Sequence, residues 1–167
     1  IEWYKNHQRA LPWRATSDPY RIWLSEIILQ QTRVDQGLPY YLAFVKAFPT
    51  VQKLAAASER DVLRLWQGLG YYSRACAKIV SKKFGGNFPA TYQRLQELPG
   101  VGPYTAAAIA SIAFGEPVAV VDGNVFRVLA RVFGLDADIS SSEGKKLFEA
   151  KANLLIDTKH PGIHNQA

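Results

Sequence analysis

With 167 residues, 48% of them apolar, and a single cysteine, the chain is long enough to bury a sizeable core as one compact domain or two small lobes, and it cannot form an internal disulfide or a site built on several thiolates. No run of about 18 apolar residues occurs, which excludes a helical membrane span. A net charge of +6 and a pI near 9.5 favour a polyanionic partner over an acidic small molecule.

Glycine and proline punctuate segments of helical period, and no segment shows the sustained alternation of a half-buried strand, so the fold class is all-α. A first helix is expected over 1–9, followed by a loop over 10–19 that carries Leu11-Pro12-Trp13-Arg14. A second helix, over 20–34, holds Trp23-Leu24-Ser25-Glu26-Ile27-Ile28-Leu29-Gln30-Gln31-Thr32. Trp23 and Leu29 lie three residues from Glu26 on either side and Ile22 four before it, so Glu26 shares a helix face with groups that should be buried. Desolvation there raises a carboxyl pKa and keeps a proton available at neutral pH. The other reading is a glutamate at the edge of the apolar stripe that reaches water or an arginine.

A third helix is expected over 38–48, ended by Pro49. Thr50 and Ser58 are N-caps of two short helices, Ser58 with Asp61 in capping-box spacing. Gly68-Leu69-Gly70 then breaks the pattern before a helix over 71–84, which Gly85-Gly86 closes. The lone Cys76 falls in that helix as a packing or surface residue and suits a reducing compartment.

Helices over 92–98 and 104–114 flank Leu98-Pro99-Gly100-Val101-Gly102-Pro103-Tyr104-Thr105-Ala106, which has the form of a tight hairpin opening a helix. Gly100 and Gly102 let another molecule's backbone come close, and Pro103 suits the first helical position, leaving free N–H groups at a positive dipole end. That arrangement is a seat for phosphate, or else only a turn. Gly115-Glu116-Pro117 turns the chain into the short apolar run 117–121, and Asp122-Gly123-Asn124 opens a helix over 125–133 with Gly134 as its C-cap. Asp122 is an N-cap, a carboxylate available for chemistry, or both. A polar loop over 136–142 leads to a helix over 143–156, a further loop over 157–162, and the start of a new helix. With no methionine, and with its end inside a helix, the chain reads as a fragment; no signal peptide precedes Ile1.

Ser25-Glu26 with Leu29-Gln30-Gln31-Thr32, the loop Leu11-Pro12-Trp13-Arg14, the turn Gly68-Leu69-Gly70-Tyr71-Tyr72-Ser73-Arg74, the hairpin, and Val121-Asp122-Gly123-Asn124 occur in the order found in adenine DNA glycosylases of the MutY type. The resemblance covers essentially the whole chain and places it among the helix-hairpin-helix DNA glycosylases, related to endonuclease III. It implies two helical lobes with the active site in the groove between them: a six-helix barrel over 19–116 containing the hairpin, and a second lobe joining 1–18 to 117–167. It implies removal of adenine mispaired with 8-oxoguanine or guanine, the base being flipped from the duplex into a pocket. Carried over by motif, Glu26 is the general acid that protonates the adenine and later helps activate water. Asp122 stabilises the oxocarbenium-like sugar, directly or through a covalent intermediate, and Asn124 holds the polar network.

Tyr104 stands where the endonuclease III branch has a lysine that forms a Schiff base with the sugar, so the resemblance implies a monofunctional enzyme that leaves an abasic site without cutting the strand. Trp13, Arg9 and Leu29 match positions around the adenine pocket, and for Trp13, as for Leu69, a core role is as open as a contact role. Gln31 matches the glutamine that fills the gap left by the flipped base, Thr32 lies beside it, and Leu69 and Tyr71 match a wedge inserted into the stack. The partner implied is double-stranded DNA carrying an adenine mispair, bound by a monomer with no membrane involved. The compartment implied is intracellular, and for a bacterial source cytoplasmic and nucleoid-associated. The family's full-length members have four cysteines binding a 4Fe-4S cluster after the point where this chain stops, then a domain that reads 8-oxoguanine. Those cysteines are absent here, so no metal or cofactor is expected on this chain. Two rivals stay open: a related glycosylase acting on mismatched thymine or oxidised pyrimidines, and a non-catalytic DNA-binding module that uses the hairpin for phosphates.

Overall fold

Local capping chemistry sets most of the helix boundaries in the computed structural model, which describes residues 1–30, 32–65 and 70–167, the side chains of 70–74 excepted. After α1 (Glu2–His7) a single 3-10 turn, Pro12–Arg14, delivers the chain to Asp18, whose carboxylate accepts the Tyr20 amide at 2.9 Å. With Pro19 at the first helical position, this starts α2 (Pro19–Leu29). Then come α3 (Val34–Ala47), α4 (Val51–Ala56) and α5 (Glu59–Leu65). Thr50 caps α4 through the Lys53 amide, and Ser58 accepts the Asp61 amide at 3.1 Å while its hydroxyl donates to the Asp61 carboxylate at 2.6 Å. The later helices are α6 (Gly70–Lys83), α7 (Tyr92–Leu95), α8 (Pro103–Phe114), α9 (Gly123–Phe133), α10 (Ser142–Leu155) and α11 (Pro161–Gln166), with no strand among the described residues. None of these helices is long and apolar enough to cross a membrane.

The α2–α3 junction differs from the sequence expectation of one helix through 34 and another from 38. The Thr32 hydroxyl donates to the Ile28 carbonyl at 2.7 Å, which closes the end of α2 early. Gly37, a breaker by composition, instead lies inside α3, where a Cβ would meet Thr32 Oγ1 at 2.7 Å and Ile28 Cγ2 at 3.1 Å. The missing side chain lets the first turns of α3 press against the end of α2.

Helix α8 is the buried axis of the structure. Thr105 to Ser111 are all buried, and α2, α7 and α11 pack around them. A large core forms from Ile22, Trp23, Leu24 and Ile28 of α2, Phe44 of α3, Leu54 of α4, Val80 of α6 and Ile109 of α8. Leu11 and Trp13 from the loop before α2 join it. A smaller core holds Ala119, Leu129, Phe148, Ala152 and Ile156, with Phe126 edge-on to Phe148 at 5.1 Å between ring centres. Tyr4 of α1 reaches across to Gln166 of α11, its hydroxyl donating at 3.3 Å. Glycine C-caps in the left-handed region, Gly115 at φ 71° and Gly134 at φ 63°, end α8 and α9.

Helix α11 approaches α8 through a glycine. A Cβ on Gly162 would stand 2.8 Å from the Ile112 Cα and 2.9 Å from the Ser111 carbonyl oxygen, both fixed backbone atoms. Gly162→Ala therefore pushes the two helices apart, and calorimetry is expected to show a loss of about 1–3 kcal/mol. A thermal midpoint equal to the parent's would mean that α11 is free to shift.

Candidate active site

Five parts of the chain converge on one cavity of about 460 Å³. The 3-10 turn supplies Trp13 and Arg14; α2 supplies Ser25, Glu26, Leu29 and Gln30; α8 supplies Tyr104, Ala108 and Ile112. Val120 and Asp122 come from the segment between α8 and α9, and Asn165 and Gln166 from α11. The walls are largely apolar, with a few polar groups turned inward, as in small-molecule sites generally.

Glu26 is half-buried on the face of α2 that its apolar neighbours define. Burial pushes its carboxyl up to about 7, opposed in part by a hydrogen bond with the Tyr104 phenol. The phenol is in turn held well above its ordinary range by burial, then by the charges of Glu26 and Asp122. Tyr104 is therefore a neutral hydroxyl lying within range of both carboxyls, near the start of α8.

Asp122 both caps a helix and faces the cavity. Its Oδ1 accepts the amides of Asn124 and Val125, each at 2.9 Å, which caps α9, and the same side chain lines the cavity. The start of an 11-residue helix is a favourable place for its negative charge. Asn124 donates from Nδ2 to Asp122 Oδ2 at 3.2 Å and accepts from Arg127 at 2.8 Å, so it fixes the carboxylate without lining the main cavity itself. The cavity thus joins a carboxyl poised to hold or release a proton near pH 7 to a carboxylate held by amides. That pairing suits protonation of a leaving group on one side and stabilisation of positive charge on the other.

The other sequence-derived positions fall in different places. Trp13 is 8% exposed, faces the cavity, and packs edge-on against Tyr41 at 5.0 Å, so it is both a core residue and a wall. Leu29 also lines the cavity, whereas Arg9 is exposed and does not. The Thr32 hydroxyl is engaged within the chain by Ile28. Gln31, Leu69 and the side chain of Tyr71 lie outside the described residues. In the hairpin, Leu98 and Val101 are buried anchors, the Val101 amide donates to the Leu98 carbonyl at 3.1 Å, and Gly100 takes φ 76° at the exposed tip. Gly102 is the N-cap of α8, with no side chain capping it and open space where a Cβ would stand.

Sequence reasoning gave no role to Asn165 and Gln166, read only as the start of a last helix. Pro161 at its first position signals that helix, but nothing local signals that its amides face the cavity. The residues present do not fit an iron-sulfur cluster: the one cysteine is buried and its thiol is pushed up to about 12, away from the thiolate that a cluster requires. Among the described residues no group of three or more His, Cys, Asp or Glu side chains is placed to hold a metal ion.

Comparison with known proteins sets this geometry in a family. The human protein "Adenine DNA glycosylase" is 45% identical over 181 residues, covering 100% of this chain and 33% of its own length. The Buchnera aphidicola (subsp. Baizongia pistaciae) protein of the same name is 39% identical over 173 residues, covering 100% of this chain and 49% of its own. The chain thus spans between a third and a half of these relatives. Among solved structures, a thermostable thymine-DNA glycosylase superposes with a TM-score of 0.84 at 26% identity, covering 97% of this chain and 79% of that one. The family model described as "HhH-GPD superfamily base excision DNA repair protein" matches residues 24–153, from Leu24 on α2 to Asn153 on α10, and so takes in Glu26, the hairpin and Asp122; the chain belongs to that superfamily.

Proposed function

We propose that this chain carries the base-excising part of an adenine DNA glycosylase, which hydrolyses the N-glycosidic bond of adenine mispaired with 8-oxoguanine or guanine. The observation that carries the reading is the joining of Glu26, Tyr104 and Asp122 around one cavity, with a tyrosine where strand cleavage would need a lysine. The names of the relatives support adenine as the base.

In this reading the flipped adenine enters the cavity between Trp13 and Leu29, and the side-chain amides of Gln30 and Gln166 offer donors and acceptors to its edge. Glu26 gives its proton to the base as the bond from C1′ to the base nitrogen breaks, and Asp122 faces the positive charge that grows on the sugar. Water, deprotonated by the now ionised Glu26, adds to C1′, leaving adenine and an abasic site. Asn124 keeps Asp122 in place, and Tyr104 shapes the sugar side.

Double-stranded DNA is the partner, with the exposed amides at Gly102 and the hairpin tip set against phosphates. Gln31 is assigned to the gap left by the flipped base, with Thr32 beside it at the 8-oxoguanine, Leu69 and Tyr71 to a wedge in the stack, and Arg9 to a further contact with the adenine. The two hydrophobic cores support a division near residue 116 into lobes of 19–116 and 117–167, with Leu11 and Trp13 of the segment 1–18 packed in the first. The enzyme works as an intracellular monomer.

The test is single-turnover base release from a duplex with one adenine opposite 8-oxoguanine, products being examined before and after alkali. Adenine is expected to be released, with strand breaks only after alkali; breaks without alkali would remove the monofunctional assignment. The fold shared with a thymine-DNA glycosylase makes a duplex with thymine opposite guanine the necessary comparison, and faster release of thymine would overturn the substrate.

A further inference from the structure

The segment that carries Asp122 into the cavity has no helix or sheet to hold it. Between the end of α8 and Asp122 the backbone is irregular, so its amide and carbonyl groups must find partners elsewhere. Two asparagines supply them. From α10, Asn153 Oδ1 accepts the Ala119 amide at 2.8 Å. From α11, Asn165 Oδ1 accepts the Val120 amide at 3.0 Å, and its Nδ2 donates to the Val118 carbonyl at 2.8 Å. The Val118 carbonyl and the Val120 amide thus turn to one asparagine and the Ala119 amide to the other, with side-chain amides in place of neighbouring strands, while the Val118 amide donates to the Glu116 carbonyl at 2.8 Å.

The two asparagines are not equivalent. Asn153 spends one N–H on its own helix, at the Glu149 carbonyl, and lines a smaller cavity with Pro103 and Tyr104 rather than the main one. Asn165 spends its second N–H on Ser111 Oγ at 2.8 Å, a buried hydroxyl in α8 that itself donates to the Ala107 carbonyl. It therefore ties the segment ending in Asp122 to α8, the helix that carries Tyr104, and it lines the same cavity as both. Both donors and one acceptor site of a single amide are used, which fixes its orientation.

We propose that Asn165 is a positioning residue that sets the Asp122 carboxylate in register with Tyr104 and Glu26 across the cavity. The proposal rests on the functional reading above. With Asn165→Ala, the Val118 carbonyl and Val120 amide turn to water and the segment loses its link to α8. A displacement of ~1 Å at a reacting group costs about 10²-fold in rate.

The experiment compares Asn165→Ala with Asn153→Ala, which also removes one side-chain hold on the same segment. The expected result is a fall of about 10- to 100-fold in single-turnover adenine release for Asn165→Ala, with duplex affinity and the apparent pKa of the pH profile unchanged, and a fall of no more than about threefold for Asn153→Ala. Comparable losses in the two variants, or a loss in Asn165→Ala that tracks its thermal midpoint, overturn the proposal. The carboxyl ¹³C resonance of Asp122 in the DNA-free chain gives a second readout that needs no turnover. It is expected to move in Asn165→Ala and to hold in Asn153→Ala, and an unmoved resonance in both overturns the proposal even where the parent releases no adenine.

Discussion

Asp122→Asn is expected to lower single-turnover base release by about 10³-fold while the chain stays folded and binds its duplex as tightly as the parent. The substitution separates the cap that this side chain makes from the catalytic role proposed for it. Asparagine caps a helix as well as aspartate does, so its side-chain oxygen can still accept the Asn124 and Val125 amides that Asp122 Oδ1 accepts now. Only the charge is lost, and with it the interaction that grows as the sugar becomes positive. Asp122→Ala removes the charge and the cap together, so it should match the asparagine variant in rate and fall below it in stability by about 1 kcal/mol. Turnover of Asp122→Asn within tenfold of the parent would reduce Asp122 to a helix cap. A parent that binds its duplex but releases no base would instead favour a DNA-binding module without catalysis.

Much of this arrangement is legible in the sequence because it is local. Thr50, Ser58 and Gly134 declare helix ends through chemistry that acts within a few residues, and all three act as expected. The apolar face around Glu26 follows from helical period alone, since Ile22 and Trp23 are buried one turn before it. What was not legible depends on contacts between distant segments. The α2–α3 boundary turns on one hydroxyl at Thr32 and on the space that Gly37 leaves beside it, neither of which has a periodic signature. Asn165 meets its backbone partners 45 and 47 residues earlier in the chain, so its role exists only after α11 has packed on α8. Trp13 shows the intermediate case, in which an apolar residue was readable as a wall or as core and is both.

The second large effect concerns Glu26, and it should appear in rate and stability with opposite uses of the same proton. Glu26→Gln keeps the side chain's size and its neutrality but has no proton to give, so base release is expected to fall by about 10²- to 10⁴-fold. In the parent, the pushed-up carboxyl predicts a rate that is high in mild acid and declines as pH rises through about 7, because only the protonated form acts on the leaving base. The low residual rate of the glutamine variant should show no such decline. For stability, the folded chain holds this proton more tightly than the unfolded one, whose carboxyl titrates near 4.5. Between about 4.5 and 7 the native state therefore carries more protons, and stability falls as pH rises across that window. The full shift corresponds to roughly 3 kcal/mol, an upper bound because water reaches the carboxyl from the cavity mouth. Glu26→Gln lacks this penalty. Denaturant titrations should find it close to the parent at pH 5 and more stable than the parent at pH 8. A parent whose stability relative to the variant does not change between those pH values would show that Glu26 is solvated like a surface glutamate. The general-acid role would then lose its physical basis, whatever the turnover of the variant.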